Sequence, residues 1–319
     1  MSGTPAAGVR MLWAAVPADV RAKAEARLGA PVVEAANQSG GFSPGVAARL
    51  RLADGRRAFV KAVSPAQNPE SPGIYRDEVW ISSALPPTAP APRLLASFDE
   101  DGWVVLLFED VEGRMPQEPW VPAELDRVLH ALAELAESLT PTPVAAPPVA
   151  ARLKESFRGW RRLVAARNGG ADDLTGLDPW AVLRLDRLAD LESGWPEALA
   201  GTTLAHCDLR ADNLLLTPDG RVVVVDWPWA CVAAPWFDLL GMLPSVAMRG
   251  GPDPEEVFTA HPVSKGADPA HVTCALAALT GMFLDGARQP PPPGLPTLRA
   301  FQQAQGDAAL AWLEHRLRP

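Results

Sequence analysis

The side chains best suited to do chemistry lie in one short segment, residues 204–226. Three polar residues follow the spacing H-x-D-x-x-x-x-N: His206, Asp208 and Asn213. The segment ends in a second acid, Asp226. One carboxylate in such a set can accept a hydroxyl proton, while an amide oxygen and another carboxylate can hold Mg²⁺. The arrangement therefore suits phosphoryl transfer from Mg-ATP.

The same segment predicts a β-hairpin. Residues 214–216 are three leucines, residues 217–220 read Thr-Pro-Asp-Gly, and residues 221–225 are mostly valine. Pro, Asp and Gly favour a turn, and β-branched residues favour a strand on either side of it. Because the two ends of a hairpin meet, we expect Asn213 and Asp226 to lie close together.

Asp208 precedes this hairpin, on the loop that enters it, and is the candidate proton acceptor. Arg210 follows two residues later and could reach a transferred phosphoryl group. We expect His206 to organise the loop by bonding to backbone rather than to carry a proton. A metal-dependent hydrolase built on His206 and Asp208 is disfavoured, because the five histidines show no metal-ligand spacing.

A lysine and a glutamate upstream form a second candidate group. Lys61 interrupts an apolar strand in a chain that has only four lysines. A lysine in such a strand needs an anion or a path to solvent; on an edge strand it would instead point outward. On the next helix, helical phase favours Glu78 over Asp77 as its partner.

The hydrophobic pattern predicts two lobes. Residues 1–110 are mainly strands (31–36, 46–52, 57–63, 93–98 and 103–108) with helices at 18–28 and 71–85. Residues 111–319 are mainly helices (123–139, several within 149–200, 237–248, 269–286 and 297–317), interrupted by the catalytic hairpin. We therefore expect an α+β chain with a small β-rich lobe, a larger helical lobe and a hinge near residues 109–114.

The 204–226 segment resembles the catalytic and metal-binding segments of the aminoglycoside phosphotransferase family, which has a protein-kinase-like fold. Downstream, PWFDL at residues 235–239 resembles another motif of that family. The resemblance implies that Asp208 is the catalytic base and that Asn213 and Asp226 bind Mg²⁺. Asp238 would brace the catalytic loop, although a helix N-cap is an equal alternative. The family usually has glycine where this chain has Cys207.

The resemblance also implies a nucleotide site in the first lobe. Lys61 matches the strand lysine that holds the α- and β-phosphates, and the backbone at Glu109 and Val111 would face adenine. The loop that contains Ser39, Gly40 and Gly41 would approach the phosphates, since glycine adds no side-chain bulk. Taken alone, that loop is an ordinary hairpin connection.

The expected activity is ATP- and Mg²⁺-dependent transfer of a phosphoryl group to a hydroxyl of a small molecule: an aminoglycoside-like compound, an amino alcohol or a sugar. A catalytically silent nucleotide-binding regulator on the same fold is the alternative. A protein kinase is disfavoured, because Asp238 lies only twelve positions beyond Asp226 and no A-P-E segment follows. The residues do not predict the oligomeric state.

Composition excludes several other classes. The net charge of −9 disfavours a nucleic-acid groove. The three cysteines form no C-x-x-C pair, so neither a disulfide framework nor a zinc site is expected. The sequence predicts no membrane span and no signal peptide, which makes a cytoplasmic protein the default expectation.

The acceptor-binding groups are expected in the helical lobe. Its candidate acids are scattered, and most are expected to be solvated: Asp238, Asp253, Glu255, Glu256, Asp285 and Glu314. Four tryptophans could line an acceptor pocket, although most are expected in the core: Trp160, Trp227, Trp229 and Trp236.

Overall fold

The computed structural model describes residues 10–38 and 43–318. Its first part is a five-stranded antiparallel sheet in the order β1-β2-β3-β5-β4. The strands are β1 (Val32–Asn37), β2 (Val46–Leu52), β3 (Arg57–Val63), β4 (Leu94–Glu100) and β5 (Trp103–Glu109). Val, Ala and Leu fill β2, β3 and β5, and such residues suit strands with both faces covered.

One helix covers each face of this sheet. Helix α1 (Ala18–Leu28) buries Val20, Ala24 and Leu28, which recur at helical spacing, in a cluster with β-strand residues of one face. Helix α2 (Ser71–Ala84) packs on the other face. Side chains alternate between the faces of a strand, so Lys61 in β3 lies on the α2 side.

The second part is helical. Its helices are α3 (Pro122–Ser138), α4 (Val149–Arg152), α5 (Gly159–Asn168), α6 (Pro179–Val182), α7 (Leu185–Ser193), α8 (Trp195–Ala198), α9 (Phe237–Ala247), α10 (Pro254–Ala260), α11 (Pro269–Ala287) and α12 (Leu298–Arg316). Helix α11 packs against α5, α7, α8 and α12 at the centre of the lobe. Among the described residues, α11 alone is long and apolar enough to cross a membrane, but most of it is buried inside the protein.

Two small antiparallel pairs interrupt the helices. Strand β6 (Thr203–Ala205) pairs with β9 (Cys231–Ala233), and β7 (Leu214–Leu216) pairs with β8 (Val222–Val224). The β7–β8 pair is the predicted hairpin, and its turn contains Gly220 at a φ of 93°. Residues 206–213, which include Asp208, are therefore held at both ends by strands.

The mixed fold class, with a β-rich first lobe and a helical second lobe, is confirmed. Most predicted helices and strands lie within two residues of the observed bounds. The sequence reading missed β6, β9 and α10, because strands of three residues and a seven-residue helix have too few residues to establish a period.

Two helices of the second lobe approach each other through glycine. A Cβ added to Gly159 in α5 would overlap the backbone carbonyl of Gly281 in α11. A Cβ on Gly281 would meet the Trp160 ring at 2.6 Å. Only hydrogen fits at either position, so the packing of the lobe's central helix depends on this contact.

We expect Gly159→Ala to lower the free energy of unfolding by about 2 kcal/mol or more, because overpacking displaces backbone. Gly73→Ala in α2 is the control, since a Cβ there meets nothing within 4 Å; it should leave stability unchanged or raise it slightly. Denaturant unfolding of both variants provides the measurement. Equal stability of the two variants would contradict this account of the α5–α11 contact.

Candidate active site

The structure joins the two lobes through Lys61. Its Nζ atom contacts the Glu78 carboxylate and lies 2.7 Å from Oδ1 of Asp226. Lys61 is 9 % exposed and Glu78 is 2 % exposed. The rival, Asp77, pairs instead with Arg152 across the lobes at 2.6 Å. The lysine therefore points inward and has two carboxyl partners. Burial raises the pKa of Glu78 to about 7, and the charge of Lys61 opposes that rise.

The charge of Lys61 is stabilised by these partners. Burial alone would lower the pKa of the ammonium group, but the charges of Asp226 and Glu78 raise it overall. Lys61 also lowers the pKa of Asp226, against the effect of burial. Both groups therefore stay ionised at neutral pH.

Asn213 and Asp226 meet at one end of the β7–β8 hairpin, as expected. The backbone N–H of Val225 donates to the Asn213 carbonyl at 3.0 Å, which extends the β7–β8 pairing by one more hydrogen bond. The Asn213 Nδ2 group donates to the Asp208 backbone carbonyl at 2.7 Å and lies 3.3 Å from its Oδ2. This orientation leaves the amide oxygen of Asn213 available to a ligand.

The donor chemistry at this hairpin end fits Mg²⁺. One carboxylate and one amide oxygen are a typical protein contribution to a magnesium site, where phosphates and water would supply the other oxygens. No group of three or more His, Cys, Asp and Glu side chains placed to hold a metal occurs within residues 10–38 and 43–318. The fold therefore supplies a partial oxygen site, suited to a metal that arrives with a phosphate ligand.

Asp208 lies beside an arginine. The Arg210 guanidinium contacts the Asp208 carboxylate and holds both oxygens of Asp212 at 3.0 Å. Burial raises the pKa of Asp208 to about 7, and the charge of Arg210 opposes that rise. Arg210 thus orients the carboxylate. The sequence reading did not single out Asp212, which looks like any acid in a loop.

His206 is a structural residue of the loop. Its Nε2 donates to the Val225 carbonyl at 3.0 Å, and its Nδ1 accepts the Asp208 N–H at 3.2 Å. The ring is fully buried against Trp227, and burial lowers its pKa to about 4. The imidazole is therefore neutral at pH 7, and both nitrogens bond to backbone.

Asp238 supports the same loop from α9. Its two carboxylate oxygens accept the backbone N–H groups of His206 and Cys207, each at 2.8 Å. Burial raises its pKa to about 6, while these two bonds oppose the rise. Cys207 has a φ of 67°, in the left-handed region that glycine adopts most easily. The fold also brings its Sγ within 2.9 Å of Sγ of Cys231, although both thiols are free.

Two cavities meet at this loop. A cleft lies between the lobes, with about 1000 Å³ of empty space that includes its opening to solvent. Among its lining residues are Lys61, Glu78, Glu109, Val111, Asn213 and Asp226. A second cavity lies in the helical lobe, beside Asp208 and Arg210, with about 470 Å³ of empty space counted in the same way. Asn213 lines the cleft and bonds to Asp208, so it connects the two spaces. The predicted residues Ser39, Gly40 and Gly41 lie outside the described part of the chain.

The cleft ends at the segment between the lobes. Asp110 follows β5 and is held by Arg57 at 2.7 Å and by Arg49 at 3.5 Å. Its side chain is 3 % exposed. Sequence reasoning missed this acid, because the arginines that hold it are in other strands. Asp110 fixes the backbone that runs from Glu109 to Val111 along the cleft.

Comparison with known proteins identifies the family. The profile of the phosphotransferase enzyme family matches residues 39–270, more than half of the chain. This chain belongs to the phosphotransferase enzyme family. The suspected relationship is therefore confirmed, and the chain is a phosphotransferase by membership.

Solved structures of phosphotransferases share its fold. A thermostable mutant of aminoglycoside phosphotransferase APH(4)-Ia, in a ternary complex with ADP and hygromycin B, has a TM-score of 0.58 at 16 % identity; the match covers 94 % of this chain and 100 % of that one. Choline kinase LicA from Streptococcus pneumoniae has a TM-score of 0.60 at 16 % identity, with coverage of 92 % and 98 %. An aminoglycoside-3′-phosphotransferase of type VIII has a TM-score of 0.54 at 24 % identity, with coverage of 83 % and 98 %.

A curated relative matches only a short stretch. The uncharacterized protein MG356 homolog of Mycoplasma pneumoniae (strain ATCC 29342 / M129 / Subtype 1) is 39 % identical over 41 residues. The match covers 13 % of this phosphotransferase and 14 % of that relative. It carries no information about the substrate.

We expect Asp238→Asn to lower kcat about tenfold or more and to destabilise the fold by about 1–3 kcal/mol, because one backbone N–H would face an amide N–H₂ group. Asp253→Asn is the matched control: Asp253 caps α10 by accepting two N–H groups, and asparagine caps equally well. Steady-state kinetics and denaturant unfolding test both variants. Asp238 does not cap α9, whose N-cap position is Trp236, so equal losses in the two variants would contradict its role in bracing the loop.

Proposed function

We propose that this phosphotransferase moves the γ-phosphoryl group of ATP to a hydroxyl group of a small molecule, with Mg²⁺. One observation carries the proposal: an inward-pointing lysine, an oxygen pair at a hairpin end and a carboxylate within hydrogen-bond reach of that pair lie around two neighbouring cavities. Phosphoryl transfer requires such positioning more than covalent chemistry. One similar structure is a complex with ADP and hygromycin B and another is a choline kinase, which supports a nucleotide donor and a small acceptor.

We assign residues 1–110 to a nucleotide-binding lobe and residues 111–319 to a lobe with the catalytic loop and acceptor site. In this proposal Lys61, held by Glu78, binds the α- and β-phosphates, and the backbone of Glu109 and Val111 faces adenine. Ser39, Gly40 and Gly41 would contribute backbone N–H groups to the phosphates. A cytoplasmic setting, in which ATP is available, is part of the proposal.

The reaction depends on the residues around Asp208. The Asp208 carboxylate accepts a hydrogen bond from the acceptor hydroxyl and takes its proton. Arg210 orients that carboxylate and adds positive charge where the transferred group arrives. Asn213 and Asp226 would hold Mg²⁺, which supplies positive charge to the phosphate oxygens when it is bound. The catalytic effect then comes mainly from orientation and fixed charges.

The first test separates catalysis from nucleotide binding. We expect Asp208→Asn to lower kcat about a thousandfold while the Kd for Mg-ATP changes less than about threefold, because Asp208 lines the second cavity and not the cleft. We expect Asp226→Ala to abolish the Mg²⁺-dependent part of nucleotide binding. Calorimetry and phosphoryl transfer to a true acceptor measure both effects.

Near-normal turnover of the Asp208→Asn variant would remove Asp208 from its assigned role. Tight binding of Mg-ATP without any transfer in the wild-type protein, across acceptors of every class, would favour the silent nucleotide-binding regulator instead.

The second test is the pH dependence of kcat/KM. The pKa of Asp208 is raised to about 7 by burial, so the carboxylate is protonated and inactive as a base below that pH. We expect kcat/KM to fall as the pH decreases through about 7, and more steeply below about 6, where Asp238 also takes up a proton. A flat profile between pH 5 and 8 would contradict the role of Asp208 as base.

A further inference from the structure

The second cavity lies against the proposed catalytic base and has mostly apolar walls. Phe157, Phe237, Leu279 and Phe283 line it beside Asp208, and each of these four is at most 8 % exposed. The empty space among these residues is about 470 Å³, a figure that includes its opening to solvent. A bound alcohol would therefore place most of its surface against hydrocarbon.

The carboxylates on these walls already have partners. Asp208 is in contact with Arg210, and both oxygens of Asp238 accept backbone N–H groups. Other acids of the helical lobe are engaged elsewhere: Asp253 caps α10, Glu255 pairs with Arg316, and Asp285 pairs with Arg162. Within the described part of the chain, no acid on the cavity wall is left for an ammonium group, while Arg210 would repel one.

One wall residue does lack a partner. Gln305 in α12 is 4 % exposed, and no described residue forms a hydrogen bond with its side-chain amide. The amide is not sealed inside the protein, so it can be reached from the cavity. A polar atom of a ligand in this cavity could form a hydrogen bond with it.

The cavity also contains unfilled space beside a glycine. Gly241 lines it from α9, and a Cβ added there meets no heavy atom within 4 Å. A Cβ at this position displaces no protein atom, so a larger side chain would begin in open space at the cavity wall. Substitution of Gly241 can therefore be used to fill this cavity while the cleft between the lobes is left unchanged.

We propose, on the basis of the phosphotransferase function above, that this cavity binds the acceptor and that the acceptor is a neutral, mainly apolar alcohol with a second polar group bound by Gln305. The acceptor hydroxyl lies at Asp208, and its apolar body packs against the three phenylalanines. Polycationic amino-sugars and quaternary ammonium alcohols are poor acceptors, because they find no unpaired carboxylate on these walls.

Acceptor choice tests this with matched compounds: para-(hydroxymethyl)benzamide, its cationic analogue para-(aminomethyl)benzyl alcohol, choline, and an aminoglycoside. We expect transfer from Mg-ATP, read by mass gain, to the neutral benzamide at least about tenfold faster than to any cationic compound. Faster transfer to a cationic compound would overturn the inference and leave the phosphotransferase proposal standing. Absence of transfer to the benzamide, in enzyme that still binds and slowly hydrolyses Mg-ATP, would also overturn it.

Two variants test the cavity itself. We expect Gln305→Met to raise the acceptor KM about tenfold with little change in kcat, in the KM for ATP or in stability. Gly241→Leu should abolish benzamide transfer while Mg-ATP binding stays normal; Gly73→Leu, at an exposed position open to solvent, is its control. Unchanged acceptor kinetics in Gly241→Leu would place the acceptor elsewhere. If the wild-type enzyme did not bind Mg-ATP at all, that result would instead refute the proposed function.

Discussion

The contact of Lys61 with Glu78 and Asp226 is the constraint on which the rest of the site depends. The lysine and the glutamate belong to the β-rich lobe, and Asp226 belongs to the hairpin of the helical lobe. Removing one partner of a buried ion pair typically costs about 3–5 kcal/mol, because the other charge is left uncompensated. The pairing therefore fixes β3 against α2, and it positions the hairpin relative to the sheet. The Asp226 side chain is partly exposed, so its share of that stabilisation is smaller.

This constraint explains why the lobe boundary can bind a charged ligand. Lys61 and Asp226 attract each other here, yet they are suited to opposite partners, an anion and a cation. A ligand that brings both a phosphate and a divalent metal can replace their mutual contact with two stronger ones. Glu78 would keep Lys61 oriented during the exchange, since it is the more deeply buried of the two acids.

The loop around Asp208 has an unfavourable backbone conformation that its neighbours stabilise. Cys207 and Asp226 have φ values of 67° and 70°, which side-chain-bearing residues seldom adopt. The side chains of His206 and Asp238 stabilise this conformation with four hydrogen bonds to backbone groups. Three of these groups are in the loop, and the fourth is the carbonyl of Val225, which follows β8. The result is that Asp208 is held in place by buried bonds on both sides. Strain at such positions commonly accompanies a functional site.

The sequence predicted the parts of this site that are local. The turn residues and the valine run predict a hairpin from local sequence alone, and that hairpin brings Asn213 and Asp226 together. The helical phase of α2 was likewise enough to favour Glu78 over Asp77 as the partner of Lys61. The long-range parts had no signal of their own. Asp110 is held by arginines of two other strands, Arg210 is held by Asp212, and Gln305 reaches the second cavity from a helix almost a hundred residues beyond Asp208. Such contacts depend on tertiary packing, which residue type and spacing do not encode.

The most direct test is a crystal structure with Mg²⁺ and a non-hydrolysable ATP analogue bound. The account predicts that Lys61 keeps Glu78 but leaves Asp226 for a phosphate oxygen. It also predicts Mg²⁺ at about 2.1 Å from oxygens of both Asn213 and Asp226. A nucleotide bound while Lys61 still pairs with Asp226, or a metal held without these two oxygens, would contradict the central claim.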